Sequence, residues 1–275
     1  VKIAFHKSFW EAQCDSEHDL EQLLANIKAE GYQGSELFLP FYSIDPISTL
    51  KAHRRQQLNI ITGIATQGDT ISDHLISLEQ QIERAMAFEP LFINSHTGRD
   101  IFTLEENLML FEKALALETK YAIGITHETH RFRPTFSTFG TEQILTHLPE
   151  LKLNLDISHW MVVHESDLSD QQQRVEKLLR SVHHIHARVG FEEGPQISDP
   201  QAQCWSEHLN NHTQLWQKVL DLAHQKGRTE LTITPEFGPF PYAHVDPHTG
   251  QTTTDIWAAN LFIKQHLQNT LVMAK

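Results

Sequence analysis

The chain has 275 residues, 40% of them hydrophobic and 21% charged, enough to bury a large core, and its formal charge is −13. That charge argues against an extended phosphate-binding surface, because binding nucleic acid without sequence readout rests on many Lys and Arg contacts. With no run of about 18 apolar residues and no basic-then-apolar start, the expected protein is a cytoplasmic globule with neither a membrane nor a nucleic acid as partner.

The strand-like runs begin with VKIAF at 1–5, followed by a helical pattern that opens near Asp19 and has Gly31 where a helix end wants it. SELFL (35–39) and NIITGIA (59–65) come next, then Ile71, Leu75, Leu78, Ile82 and Met86 at helical spacing. After LFINSH (91–96), Leu104, Leu108, Phe111 and Leu115 mark another helix, opened by Thr103 with Glu106 three residues on, a capping-box signature. AIGITHE (122–128) and LNLD (153–156) are the fifth and sixth strands, and a helix is expected from about Ser169. VHHIHAR (182–188), a helix over 208–226 closed by Gly227, LTITPE (231–236) and a helix over 255–267 complete the chain.

Strands thus recur about every 30 residues with helices between them, which specifies a parallel sheet, and the repeat predicts an α/β fold: a single (β/α)8 TIM barrel over residues 1–275. A doubly wound open sheet is the alternative. It would usually carry a Gly-rich phosphate turn after the first strand, where this chain has AFHKSFW. Two cysteines, Cys14 and Cys204, lack metal-type spacing and are expected as reduced thiols. The 19 histidines are the compositional outlier, and a neutral imidazole is the commonest metal ligand.

In a TIM barrel the chemistry sits at the C-terminal ends of the strands. In LNLDISHW (153–160), Asp156 lies opposite the leucines just where the strand is expected to give way to a turn. Glu128 ends the fifth strand, His186 comes late in the seventh and Glu236 ends the eighth. Adjacent strands are about 4.8 Å apart, so these four groups can converge on one divalent cation, leaving a net charge of −1. Without a cation they would crowd like charges together at several kcal/mol of cost. Mn, Mg, Co and Zn all suit such a mixed site. The residues two before each ligand, Thr126, Asn154, His184 and Thr234, share its side of the strand and predict a polar layer beneath the metal.

Glu128, Asp156 with His159, His186 with Arg188, and Glu236 resemble, in order and strand position, the xylose isomerase-like TIM-barrel superfamily of sugar isomerases, sugar epimerases and AP endonucleases. HARVGFEEGPQ and PEFGP are similar to a subgroup called sugar phosphate isomerases or epimerases. The resemblance covers nearly the whole chain. It implies a carbohydrate substrate, free or phosphorylated, whose carbonyl is polarised by the metal while a carboxylate moves the neighbouring proton. Glu128 and Glu236 would be the acid/base pair as well as ligands, and His159 and Arg188 would stabilise the developing enediolate oxygen. Isomerase and epimerase outcomes both stay open.

Further substrate-binding candidates are His96, His6 and Glu36 at earlier strand ends, with His96 also a candidate extra ligand, and Glu193 and Gln196 in the long stretch 190–206. With 238–254, that stretch is expected to wall or cover the site. Trp10, Phe237 and Tyr242 are candidate apolar walls, and Lys7, Arg99, Arg131 and Arg188 candidate anion contacts. An AP endonuclease needs more metal ligands, but the third strand ends GIATQ without histidine, and Asp199-Pro200-Gln201 has Gln where a ligand would stand. A non-catalytic sugar-binding barrel would not need two glutamates across a metal. Some epimerases place the arginine several residues beyond the histidine, where this chain has Glu192. The oligomeric state, a homo-oligomer included, is left open.

Overall fold

The computed structural model describes residues 1–12, 14 and 16–272. Residues 13, 15 and 273–275 of the expected barrel lie outside the described residues. Eight strands, β1 (Lys2–Ser8), β2 (Gly34–Phe38), β3 (Asn59–Ala65), β4 (Ile93–His96), β5 (Ile125–Glu128), β6 (Lys152–Leu155), β7 (Val182–Ala187) and β8 (Glu230–Pro235), pair in chain order, and β8 returns to β1 to close a barrel. Each neighbouring pair is parallel. Around it run α1 (Glu17–Ala29), α2 (Pro46–Gln56), α3 (Ile71–Met86), α4 (Leu104–Tyr121), α5 (Thr138–His147), α6 (Ile157–His164), α7 (Gln172–Leu179), α8 (Ser206–Gln225) and α9 (Ile256–Thr270). None of the described helices is long and apolar enough to cross a membrane.

Strand alternation divides the residues between two environments. Leu153, Leu155, Ile185 and Ile233 join the hydrophobic core under the helices. The intervening positions face the barrel axis, where the register sets Asn94 beside Thr126, Glu128 beside Asn154, Asn154 beside His184 and His186 beside Thr234. From β4 to β8 the interior is therefore polar where a structural barrel would stack Val, Ile and Leu.

Helix starts follow local capping chemistry. Thr103 and Glu106 form the capping box of α4 that the sequence predicts, and Thr70 with Asp73 forms one for α3. Ser16 caps α1, and a 3₁₀ turn at Ser169–Gln171 leads into α7. Gly31 and Gly227 take positive φ, 77° and 68°, just past α1 and α8. The turn expected after Asp156 is instead α6, which starts at once because Asp156 is its N-cap and accepts hydrogen bonds from the Ser158 amide (3.0 Å) and hydroxyl (2.6 Å).

The two long stretches after β7 and β8 are fastened to each other. Gln196 donates to the Gly238 carbonyl at 3.1 Å and accepts from the Gly238 amide at 2.8 Å, while the Thr254 hydroxyl donates to the Ser198 carbonyl at 2.6 Å.

Candidate active site

A pocket of about 320 Å³ opens at the C-terminal ends of the strands. Glu36, Glu128, His186, Arg188 and Glu236 line its floor and one side, and Phe38, Phe41, Ala65, Trp10 and Tyr242 supply apolar walls. One acidic side with apolar walls is the usual make-up of a small-molecule site.

His186 is the centre of the arrangement. Its Nε2 lies 2.9 Å from Glu36 Oε1, and its Nδ1 faces Glu236 Oε2 at 2.9 Å and Glu128 Oε2 at 3.3 Å. Burial opposes ionising Glu36, but His186 and His184 outweigh it and hold the carboxyl well below its usual range. An ionised carboxylate only accepts, so Glu36 fixes the proton on Nε2 and aims Nδ1 at the other two acids. Among the described residues neither His186 Nδ1 nor Glu236 Oε2 makes a well-formed hydrogen bond, although both atoms are buried and lie 2.9 Å apart. Two carboxylates and an imidazole whose donor atoms all lie within 4.8 Å of one another are a donor set that fits a divalent cation. With no cation, burial is outweighed by Glu236, Glu36 and Glu128, which raise the His186 pKa well above its ordinary value. Burial pushes the Glu236 carboxyl up to about 7, whereas His96 and His186 overcome burial to keep Glu128 well below the usual range.

Asp156 is close by but differently engaged. It clusters with Glu128 and His159 rather than with His186 and Glu236. One of its oxygens is taken by Ser158 and the other by Nη2 of Arg188. Burial raises its pKa against the opposing pull of Arg188. The same Nη2 lies 3.0 Å from His159 Nε2 and 3.6 Å from Glu236 Oε2. A guanidinium only donates, so His159 accepts on Nε2 and carries its proton on Nδ1. Burial, with His130 and Arg188 adding to it, keeps this imidazole neutral, well below its ordinary pKa. His159 is fully buried and does not reach the pocket surface, because the His130 ring covers it at 3.9 Å between centroids.

The polar layer is in place and fully buried. Asn154 donates to Glu128 at 3.3 Å, and Thr234 and His184 are 3.2 Å apart, with His184 in turn 3.2 Å from Glu36. Asn94, not singled out from sequence, donates to Glu128 at 2.8 Å. It stands two residues before His96, the same offset as the layer residues, and that offset was the signal available for it. His96 lines the pocket and is bonded to Glu128 at 2.8 Å. His130 and Arg133, also lining the pocket, sit in the turn after β5, where no periodicity marks them.

Other candidates lie elsewhere. His6 is buried within the barrel without lining the pocket, neither of its ring nitrogens makes a well-formed hydrogen bond among the described residues, and burial lowers its pKa to about 3. Glu193 is exposed away from the pocket, and both ends of the Gln196 amide are spent on Gly238, so neither faces the site. Lys7 is on the outward side of β1, paired with Glu11 and 4.9 Å from the Trp257 ring. Arg99 stacks on Phe132 at 3.9 Å, Arg131 lies 5.3 Å from the Tyr242 ring, and Phe237 belongs to the core.

Fold and pocket together define a closed (β/α)8 barrel with an acidic, histidine-rich site at the carboxyl ends of its strands. The chain has the fold of the xylose isomerase-like TIM barrels. A D-allulose 3-epimerase from Methylomonas sp., solved with D-allulose, is 14% identical with a TM-score of 0.67, over 98% of this chain and 97% of that one. A xylose isomerase-like TIM barrel protein from Mycobacterium smegmatis, solved with magnesium, is 12% identical, with a TM-score of 0.62 and 98% of each chain covered. Endonuclease IV from Thermus thermophilus is 14% identical, with a TM-score of 0.59 and 98% of each chain covered. No protein-family model and no curated protein matches the sequence.

Proposed function

We propose that this protein is a divalent-metal-dependent isomerase or epimerase of a sugar, sugar phosphate or polyol, acting at the carbon beside a carbonyl. The observation that carries this is the buried convergence of His186 Nδ1, Glu128 Oε2 and Glu236 Oε2, with both carboxylate oxygens within 3.3 Å of the one ring nitrogen. Glu128, His186 and Glu236 would hold the ion, and Asp156 would join them on releasing Arg188. When bound, the ion would polarise the substrate carbonyl and acidify the adjacent C–H. Glu128 and Glu236, which meet at His186 Nδ1 from two different strand ends, are placed to accept that proton and to return one. Arg188 brings a positive charge to the pocket for the developing oxygen, and His159 acts through Arg188 as a positioning residue. The apolar walls would exclude water from the proton being moved.

The fold neighbours support this class, since an epimerase holding D-allulose shares the architecture over nearly the full chain. The test is solvent deuterium incorporation into a panel of ketoses and aldoses with added Mn²⁺, alongside metal analysis. One ion per chain and carbon-bound deuterium are expected, and Glu236→Gln should reduce exchange at least about 100-fold, the usual scale of a general acid/base contribution. Exchange at wild-type rates in that variant, or a folded chain that takes up no metal, overturns the proposal.

A further inference from the structure

The buried cations of the barrel are not equivalent. Lys7 and Arg188 are both about 1% exposed, and each meets a carboxylate, Glu11 and Asp156 respectively. Arg133 is 9% exposed and lines the pocket, yet among the described residues no carboxylate oxygen comes within 4.0 Å of it. Among the described residues its guanidinium makes one hydrogen bond, from Nη1 to the Gly98 carbonyl at 2.9 Å, and its Nε is buried without a partner. A charge withdrawn from water and left uncompensated is costly, so buried guanidinium groups are as a rule paired.

The backbone beside Arg133 is held in an unfavourable shape. Phe132 has φ 74°, a left-handed conformation that costs a non-glycine residue on the order of 1 kcal/mol or more. It puts the half-exposed Phe132 ring 3.9 Å from the Arg99 guanidinium and 5.5 Å from that of Arg133. The ring thus backs the arginine without neutralising it. Burial also lowers the Arg133 pKa to about 10, with Glu128 pulling the other way from a distance.

We propose that Arg133 recognises an anionic group on the substrate, a phosphate or a carboxylate, which sits at the rim between β4 and β5 while the reacting carbons lie over Glu128, His186 and Glu236. This rests on the reading of the pocket as a carbohydrate site and narrows it to acidic sugars. Geometry favours Arg133 over the other rim arginines, because Arg99 and Arg131 are more exposed and do not line the pocket. The guanidinium fork matches either anion, since both present two coplanar acceptor oxygens.

The test compares sugars that differ only in the anion: D-ribulose with D-ribulose 5-phosphate, and D-tagatose with D-tagaturonate, by calorimetric titration of the full chain. At least one anionic member should bind 10-fold or more tightly than its neutral partner, and which one does so separates phosphate from carboxylate. Arg133→Gln should abolish that preference and Arg133→Lys should keep part of it. Because the Gly98 contact is lost in the first variant, the native chain provides a second measurement: inorganic phosphate should raise its melting temperature and compete with the preferred anion. Equal binding within both pairs, a preference that survives Arg133→Gln, or no response to phosphate or to either anionic sugar overturns the proposal. Repeating the titrations in EDTA keeps the two readings apart. An anion preference with no metal uptake would defeat the metal-dependent function alone, and metal uptake with no anion preference would defeat this inference alone.

Discussion

At the scale of single residues, the contest for Asp156 decides how the site works. Arg188 is about 1% exposed and Asp156 is fully buried, so the pair is made in a medium where removing one partner costs about 3–5 kcal/mol. The guanidinium also stands 3.6 Å from Glu236, so it offsets two carboxylates that would otherwise repel each other beside Glu128. A divalent ion offsets the same charges and seeks the same oxygens. Arg188→Gln is therefore expected to lower the stability of the metal-free protein by about 3–5 kcal/mol and to tighten Mn²⁺ binding by at least about 10-fold. Urea unfolding in EDTA and a Mn²⁺ titration measure the two effects. Weaker metal binding in the variant would show that Arg188 supports the metal site instead of competing for it.

At the scale of elements, the strands were legible and α2, α5 and α6 were not. The strands β6 and β8 alternate an outward aliphatic with an inward polar residue, as in Leu153-Asn154-Leu155-Asp156, and period-2 patterning needs only a few residues to show. Barrel geometry then identifies which strand ends share the pocket, which is why Glu128, His186 and Glu236 were readable together. The helix α2 buries Thr49, Ala52 and His53 and α5 buries Thr138, Thr141 and Ile144, so neither shows an apolar stripe. In α6 the apolar residues are nearly continuous, which hides any period. The partner of Asp156 was equally hidden, because a side-chain pairing across strands leaves no trace in spacing. So was the tie between the loops: Gln196 reads from sequence as a substrate contact, yet it clamps Gly238, whose Cα lies so close to Trp10 that a Cβ there would come within 2.4 Å of the indole. Gln196→Ala leaves a buried amide and carbonyl unpaired and is expected to cost about 2–4 kcal/mol. Hydrogen exchange should speed up over 238–254 with α3 and α4 unchanged, and unaltered exchange there would mean the clamp holds nothing.

At the scale of the whole molecule, the abundance of histidine makes folding stability depend on pH away from the pocket. His53 donates from Nδ1 to the Thr49 carbonyl at 2.8 Å and accepts on Nε2 from the Ser35 hydroxyl at 2.7 Å. His212 donates to the His208 carbonyl at 2.8 Å and accepts from the Gly190 amide at 3.2 Å. Each ring is matched as a neutral donor and acceptor; a second proton would set the accepting nitrogen of His212 against the Gly190 amide and would require the Ser35 hydroxyl beside His53 to turn and accept. Burial lowers both pKa values to about 4, from the 6.5 of an unperturbed histidine. The unfolded chain therefore takes up these protons first as pH falls. Stability is complete above about pH 6.5, declines between 6.5 and 4, and levels off below, with each histidine withdrawing about 3 kcal/mol by pH 4. Urea unfolding at pH 7.5 and 4.5 should show a loss of about 5 kcal/mol attributable to the pair. In the double variant His53→Gln, His212→Gln the decline over that interval should be shallower by a similar amount. An unchanged slope would place the acid sensitivity elsewhere, in the carboxylates and histidines of the barrel interior.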